Sequence, residues 1–234
     1  MARADRQTRG GGKPRLDAAT IIEVALEVAS ETNAIVLPAK DLGIRLGVDP
    51  TAIYRHFRNK GHLMESLLDA LTVRSVEAVT APPEEWRDRL RQLADSTLAE
   101  FCRHPSVAAE AMVLTTHGPG ELAAIEIMLD AFTHAGLAPE EVVRHYALFA
   151  SQVLSTASGI AIGRAENGER SGEGIDLEFS PWLDGPILAD PRLHPRIVEF
   201  GRQLSELDDR AIFRLGVESV IQSAERTAAR EPRG

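Results

Sequence analysis

Apolar residues recur every three or four positions along most of this chain. Ile22, Leu26 and Ala29 form one such stripe, and Leu63 and Leu67 begin another. This spacing places apolar side chains on one face of an α-helix. No stretch alternates apolar and polar residues with a period of two, as a half-buried strand would. The pattern therefore predicts an all-α fold.

The run over residues 42–61, LGIRLGVDPTAIYRHFRNKG, predicts two short helices joined by a tight turn. Gly47 ends the first helix, at a position that favours a left-handed residue. Asp49 offers a side-chain oxygen to cap the second helix. Pro50 takes the first helical position, where its missing N–H costs nothing. The second helix is expected to continue to about Phe57.

The polar face of this second helix carries an aromatic ring, two arginines and a histidine. Such a face suits an anionic partner with flat edges, which DNA presents in its major groove. The side chains expected to face outward or sideways are Thr51, Ala52, Tyr54, Arg55, His56 and Arg58.

The stretch VDPTAIYRHFRNKGHLMESLLDAL resembles the helix-turn-helix and fourth helix of the tetracycline-repressor (TetR) family of transcriptional regulators. The similarity extends continuously over about residues 16–71, further than a generic helix-turn-helix would carry it. It implies an N-terminal three-helix DNA-binding head and a C-terminal helical domain for ligand binding and dimerisation. The matching positions are Leu46-Gly47-Val48, Ile53-Tyr54, His56-Phe57 and Asn59-Lys60, followed by Leu63 and Leu67.

The resemblance divides the expected DNA contacts into two groups. Phosphate contacts, which fix the register on the duplex, are expected from Tyr54, His56, Arg58 and Lys60. Contacts to base edges are expected from Lys40, Thr51, Ala52 and Arg55, and the methyl group of Ala52 suits thymine. The chain departs from the family at Pro38, where a Ser or Thr cap is usual. It also departs at Gly43, which costs a helix interior about 1 kcal/mol relative to alanine.

Composition and proline positions divide the chain into three parts. Residues 1–15 contain five basic residues, one acid and three consecutive glycines, and are expected to form a flexible arm. A disordered terminus and an arm that contacts DNA both fit this composition. Residues 16–81 are assigned to the DNA-binding head and its linking helix, which spans about residues 61–80 and ends at Pro82-Pro83. Residues 82–230 are assigned to the ligand-binding and dimerisation domain.

Two helices of the second domain are expected to form a dimer surface. A long helix over residues 139–166 carries small residues along SQVLSTASGIAIG, so another helix can approach it closely. The last helix, residues 209–230, is too apolar to stand alone. Both are expected to pair with their copies across a two-fold axis, as the family's dimers do. A homodimer also suits a palindromic operator, whose half-sites lie about 34 Å apart. Further helices are expected over residues 84–103, 106–116, 121–134 and 194–207.

A set of apolar residues with a few polar ones suggests a small-molecule pocket between these helices. A plain hydrophobic core explains each of them singly, and by resemblance this is where the family's inducer binds. The candidate pocket residues are Trp86, Leu90, Phe101, Met112, Thr115, His117, Met128, Phe132, His145, Phe149, Gln152 and Trp182.

The order of helices after residue 84 resembles that of the tetracycline-repressor subgroup. The residues that bind the drug tetracycline in that subgroup are, however, not all present in this chain. Met112 stands where that subgroup has its metal-binding histidine, although Thr115 matches a nearby threonine. Met128 replaces a glutamine that touches the drug. A magnesium–drug complex needs oxygen and imidazole ligands, and a thioether is a poor substitute. We therefore expect a more apolar ligand, no metal and no cofactor.

Charge is distributed unevenly along the chain. Its net charge is −9, yet residues 1–60 hold ten basic and seven acidic residues. The basic part is thus expected to face an anion and the acidic remainder to stay away from it. The lone Cys102 is compatible with a reducing compartment. No apolar run long enough to span a bilayer and no signal core are evident, so a cytoplasmic protein without a membrane partner is expected.

Motifs for catalysis are absent from the sequence. The seven histidines are scattered, and none forms an i, i+4 pair with a glutamate as metalloproteases require. No glycine-rich phosphate loop and no nucleophile elbow are present. The sequence therefore does not predict an enzyme.

Together these features predict a homodimeric, ligand-responsive DNA-binding regulator with no catalytic residue. The resemblance favours a repressor that a small apolar molecule releases from a palindromic operator. The alternative is a DNA-binding dimer whose C-terminal domain docks a protein partner. The effector, the operator and the regulated genes stay open at this stage.

Overall fold

The computed structural model describes residues 16–32, 34–171, 182–183 and 187–230, with side chains of the long central helix described to Asn167. The expected N-terminal arm over residues 1–15 lies outside these ranges. Within them the structure is helical, and no strand occurs there. The helices are α1 (Ala18–Thr32), α2 (Ala39–Leu46), α3 (Pro50–Ile53), α4 (Lys60–Glu77), α5 (Trp86–Arg103), α6 (Pro105–Ala108), α7 (Pro119–His134), α8 (Pro139–Ser171), α9 (Pro195–Glu199), α10 (Gly201–Ser205) and α11 (Asp209–Ala228).

In the head, α1 packs against both α2 and α4, and α2 packs against α3. Ile21, Leu26, Leu42, Ile53 and Phe57 are all buried there. Each stripe matches the helical spacing seen in the sequence, so burial of these side chains fixes how the helices pack. These side chains form the head's part of the hydrophobic core.

The helix α3 is shorter than the sequence predicts, because it ends at Ile53 rather than near Phe57. The amides of Arg55 and His56 bond three residues back, to the carbonyls of Ala52 and Ile53, and so form tight turns instead of a further α-helical turn. These turns bring Phe57 into the core, where its side chain is buried.

Gly43 has a packing role that the sequence did not suggest. A Cβ at this position would lie 2.9 Å from Cγ of Pro50 and 3.0 Å from the carbonyl oxygen of Val48. The next glycine, Gly47, caps α2 in the left-handed conformation with a φ of 65°. The two glycines together allow α3 to follow α2 closely.

The second domain is built around α5, which packs against α4, α7 and α8, and around α8, which also packs against α11. Buried residues form one continuous cluster from α1 to α11. Because α4 packs against both α1 and α7, this helix joins the head to the rest of the molecule.

Two helical predictions differ from the structure. The segment after His104 forms only the short α6, and the chain then turns and extends to α7 instead of staying helical to residue 116. The expected helix over residues 194–207 is divided into α9 and α10 at Phe200, whose φ and ψ of −100° and 9° are not helical. Neither α9 nor α10 buries a residue in the single chain.

The helix α8 corrects the expectation that no segment is long enough to span a bilayer. Within the described part of the chain, its Pro139–Asn167 stretch has the length and composition of a membrane span, with a mean hydropathy of 1.2. The core helix of a soluble protein has the same character. Phe149, Val153 and Ala157 bury one face of α8, and its Arg164 forms a buried ion pair with Asp209 of α11.

Candidate nucleic-acid interface and internal cavity

The turn between α2 and α3 is fixed by the side chain of Asp49. Its Oδ1 accepts hydrogen bonds from the backbone N–H of Thr51 at 2.8 Å and from the Thr51 hydroxyl at 2.6 Å. These bonds favour the ionised carboxylate and lower the pKa of Asp49. The Thr51 hydroxyl proton is therefore engaged inside the protein, which leaves the methyl group and an oxygen lone pair for a partner.

A second set of contacts fixes the turn that leads into α4. Oδ1 of Asn59 caps α4 by accepting the N–H of His62 at 2.8 Å. Nδ1 of His62 in turn accepts the backbone N–H of Arg58 at 3.2 Å, and its ring lies edge-on to Phe57 with the centroids 5.7 Å apart. The backbone that carries Arg58 and Lys60 is thus held by its own neighbours.

The cations of the head differ in whether they have an acidic partner. Arg45 pairs with Glu31 and lies 3.8 Å from Glu27, and the hydrogen bond between Arg45 and Glu31 lowers the pKa of that glutamate. Lys60 Nζ lies 3.1 Å from Oε1 of Glu110, which follows α6. Within the described ranges, no ion pair is made by Lys40, Arg55 or Arg58.

The sequence-predicted DNA-contacting residues lie on α2, on α3, in the turns between α3 and α4, and at the first residue of α4. Seven of the eight have exposed side chains, and Ala52 is half-buried. Ile44, which was not among the predicted residues, is 68% exposed and stands four residues after Lys40 on the same face of α2. Its spacing from Lys40 is the signal that could have identified it.

A cavity lies between α4, α5, α7 and α8. Its volume is about 120 Å³. Side chains from all four helices and from the segment before α7 line it. They are Leu68, Thr72, Ser75, Leu93, Thr97, Phe101, Ala111, Leu114, Thr116, Glu121, Ala124, Ile125, Met128, Tyr146, Phe149, Ala150, Val153 and Leu154.

Asp69 of α4 links the cavity wall to the start of α7. Its carboxylate accepts the N–H groups of Gly120 at 3.3 Å and Glu121 at 3.0 Å, and the hydroxyl of Thr116 at 2.9 Å. A Cβ on Gly120 would lie 2.4 Å from the backbone oxygen of Asp69, so only glycine allows this close approach. The carboxylate of α4 thereby supplies the N-terminal cap of α7.

Three of the twelve sequence-predicted pocket residues line this cavity: Phe101, Met128 and Phe149. Four others are buried in the core outside it, namely Trp86, Leu90, Phe132 and His145. Met112, Thr115, His117 and Trp182 are exposed, and Gln152 packs against Gly216 of α11. The imidazole of His145 contacts the Glu141 carbonyl at 2.8 Å and lies near the Ser223 hydroxyl, as a satisfied core histidine does.

The sequence analysis missed the α4 side of the cavity because it assigned that helix to the head. Leu68, Thr72 and Ser75 stand three or four residues apart, so the stripe was visible in the sequence. Which helix faces this stripe depends on the tertiary packing of α5, α7 and α8, and helical spacing carries no information about that.

Two known families match successive parts of the chain. The family described as bacterial regulatory proteins, tetR family, matches residues 21–67. The tetracyclin repressor-like C-terminal domain matches residues 80–189. Together these matches cover most of the DNA-binding head and most of the cavity-forming helices.

Two relatives are similar to this chain in sequence, and one solved structure is similar to it in fold. The HTH-type transcriptional repressor DrrR1 of Streptomyces coeruleorubidus is 26% identical over 152 residues, which are 65% of this chain but only 56% of that protein. The tetracycline repressor protein class D of Escherichia coli is 24% identical over 212 residues, which are 90% of each chain. The structure of ActR from Streptomyces coelicolor in complex with actinorhodin has a TM-score of 0.69 at 19% identity, and covers 92% of this chain and 99% of ActR.

Proposed function

Because the chain belongs to the TetR family of bacterial regulatory proteins, we propose that it is a ligand-responsive transcriptional repressor. It binds a palindromic operator as a homodimer and leaves the DNA when a small apolar molecule occupies the cavity. The observation that carries the proposal is a set of exposed cations on α2 and in the turns after α3 that form no ion pair with any residue the structure describes, namely Lys40, Arg55 and Arg58.

DNA contacts follow from the geometry of the head. Tyr54, Arg58 and Lys60, with His56, are proposed to hold the phosphates, since the bonds around Asn59 and His62 fix their backbone. Arg55 and Lys40 are proposed to reach base edges. The methyl groups of Thr51 and Ala52, with the exposed side chain of Ile44, suit the methyl group of thymine.

Dimerisation is proposed through α8 and α11. Val143 and Leu148 of α8 are 58% and 50% exposed in the single chain, and Leu215 of α11 is 63% exposed. A second copy that covers these side chains would remove apolar surface from water, and two-fold symmetry would place the same helices opposite one another. The apolar character of α8 then reflects an interface as well as a core.

Ligand release is proposed to act through α4. This helix lines the cavity with Leu68 and Thr72, caps α7 through Asp69, and begins beside the DNA-contacting turn at Lys60. A ligand that fits better when α4 has shifted would change the spacing of the two heads. The shift in DNA affinity equals the ligand's difference in affinity between the two states. A cavity with mostly apolar walls between four helices supports a small-molecule effector rather than a docked protein.

The DNA-binding part of the proposal is tested with a random-sequence duplex at several salt concentrations. Arg58→Ala is expected to weaken binding and to lower the slope of log affinity against log salt by about one, since one phosphate contact is lost. The matched control is Arg202→Ala, which removes another exposed arginine, from α10, and should leave the slope unchanged. Equal slopes for wild type and Arg58→Ala would contradict the assignment.

A further inference from the structure

The cavity is lined by an acidic residue but by no basic residue that the structure describes, and this affects which ligands it can bind. Among the described residues that line it, none is Lys, Arg or His, and only Glu121 and Tyr146 are ionisable. The remaining walls are aliphatic, aromatic or hydroxyl-bearing. A ligand inside therefore meets one carboxylate and no compensating cation.

Glu121 is only partly satisfied by the protein. Its Oε2 accepts the backbone N–H of His117 at 2.5 Å and lies 3.2 Å from the Thr116 hydroxyl. Its Oε1 has no hydrogen bond, and the carboxylate has no ion pair, with any residue that the structure describes. One oxygen is thus free to accept a bond from a ligand.

The hydrogen-bond donors near Glu121 do not satisfy its free oxygen, because they already bond to Asp69. The N–H groups of Gly120 and Glu121, at the start of α7, are bonded to Asp69. The Thr116 hydroxyl has one proton, which lies between the carboxylates of Asp69 and Glu121 at 2.9 and 3.2 Å. Asp69 therefore adds a second negative charge behind the cavity wall.

From this geometry we infer that the cavity selects an apolar, ring-bearing molecule with one protonated amine, held by Glu121. The inference rests on the proposed function, and it specifies the chemical class of the effector. Phe101, Tyr146 and Phe149 supply aromatic walls that attract a cation as well as an apolar ring. The apolar surroundings strengthen the attraction between the ammonium group and the carboxylate. The carboxylate of Glu121 would repel an anionic ligand.

Three naphthalenes of nearly the same shape test this inference by calorimetric titration of the full-length protein. They are 1-naphthylmethylamine, which is an ammonium ion at neutral pH, the uncharged 1-naphthylmethanol, and 1-naphthoate. Wild type is expected to bind the amine at least about tenfold more tightly than the alcohol, since a charge-assisted bond is added. Naphthoate is expected to bind most weakly.

Variants locate the effect. Glu121→Gln keeps the shape and one acceptor, so it should reduce amine binding to the level of the alcohol and leave alcohol binding unchanged. Glu126→Gln, an exposed residue of the same helix, is the charge-matched control and should change neither. Ala150→Phe fills the cavity and should weaken all three ligands, provided that circular dichroism shows a native helix content.

The outcomes separate the two proposals. Equal binding of amine and naphthoate to wild type, or an unchanged preference in Glu121→Gln, would overturn the inference about charge while leaving the cavity as a ligand site. Binding that Ala150→Phe does not affect would show that the cavity is not the site and would overturn the inference. Failure of all three compounds to bind wild type at millimolar concentration would overturn both the inference and the proposed effector site.

Discussion

Gly43 lies so close to Val48 and Pro50 that a side chain at this position would crowd them. Alanine here would gain about 1 kcal/mol in helix propensity. Its Cβ, however, would lie 3.0 Å from the carbonyl oxygen of Val48 and 2.9 Å from Pro50. A backbone oxygen at a tight turn moves only at a cost, so the steric term outweighs the propensity term.

We predict that Gly43→Ala destabilises the protein by about 1–2 kcal/mol and weakens DNA binding, because α3 must move away from α2. Urea denaturation and duplex binding measure the two effects. Gly201→Ala at the start of α10 is the control, since no atom lies within 4 Å of its Cβ position. A gain in stability for Gly43→Ala would contradict the close approach of α2 and α3.

His104 couples stability to pH. It is buried, its Nδ1 lies 2.8 Å from the Glu100 carbonyl, and burial lowers the pKa of its imidazole from the ordinary 6.5. The unfolded chain takes up this proton at higher pH than the folded protein does. The contribution of His104 to stability is therefore complete above pH 6.5 and is lost as the pH falls through the folded pKa.

The expected result is a fall in the free energy of unfolding between about pH 7.5 and pH 5.5 that is smaller in His104→Asn than in wild type. Asparagine can still donate a hydrogen bond to the Glu100 carbonyl but does not titrate. Urea denaturation at the two pH values measures the difference. Identical pH dependence in both proteins would show that His104 does not carry it.

At the scale of elements, the capping of α7 by Asp69 is the contact that ties the cavity to the head. Asp69→Ala removes the acceptor of two backbone N–H groups and of the Thr116 hydroxyl. A loss of about 1–3 kcal/mol in stability is expected, since these donors are left without their partner. Ligand should also release DNA less effectively, because α4 and α7 no longer move together.

The control for this change is Glu77→Ala, which removes an exposed carboxylate from the end of the same helix. Denaturation gives the stability, and DNA binding at saturating ligand gives the coupling. If Asp69→Ala and Glu77→Ala behave alike in both measurements, the capping contact plays no part in the response.

Helix ends that are set by capping residues could be predicted from the sequence. Asp49 and Pro50 set the start of α3, and Gly47 sets the end of α2, so the turn between them was predictable. The end of α3 was not, because burial of Phe57 decides it. The segment after α6 was predicted wrongly as well. At the division of α9 from α10, Gly201 directly follows Phe200, and the predicted helix ran through this weak helix former.

The candidate sites differ in how far the sequence could predict them. The proposed DNA-contacting residues are close in sequence, on α2, on α3 and in the turns that follow α3, so their positions along the chain alone bring them together. The cavity draws on four helices that are distant in sequence. Sequence spacing identified Phe101, Met128 and Phe149, but not their neighbours Leu68 and Thr116. Histidine is a residue type often found in ligand sites, but His145 is a buried core residue that is hydrogen-bonded within its own helix.

At the scale of the whole molecule, the proposed function requires two heads at a fixed spacing. We predict that Val143→Glu and Leu215→Glu each convert the dimer to a monomer, because a charge is buried without a partner in the apolar interface. Light scattering after gel filtration measures the mass. Both variants should also lose specific DNA binding while keeping their helix content.

Leu122→Glu is the matched control, since Leu122 of α7 is 62% exposed but lies outside α8 and α11. It should remain dimeric. A monomeric wild type, or a dimer that both interface variants leave intact, would contradict the assignment of α8 and α11 to the interface.

The central claim is that the α2–α3 surface of a two-fold dimer reads DNA sequence. Selection of bound DNA from a random library, at a stated salt concentration, tests it most directly. The wild-type protein is expected to enrich a palindrome with half-sites about one helical turn apart. Arg55→Ala is expected to lose preference at one position in each half-site. Enrichment of no sequence, or of one without two-fold symmetry, would contradict the account.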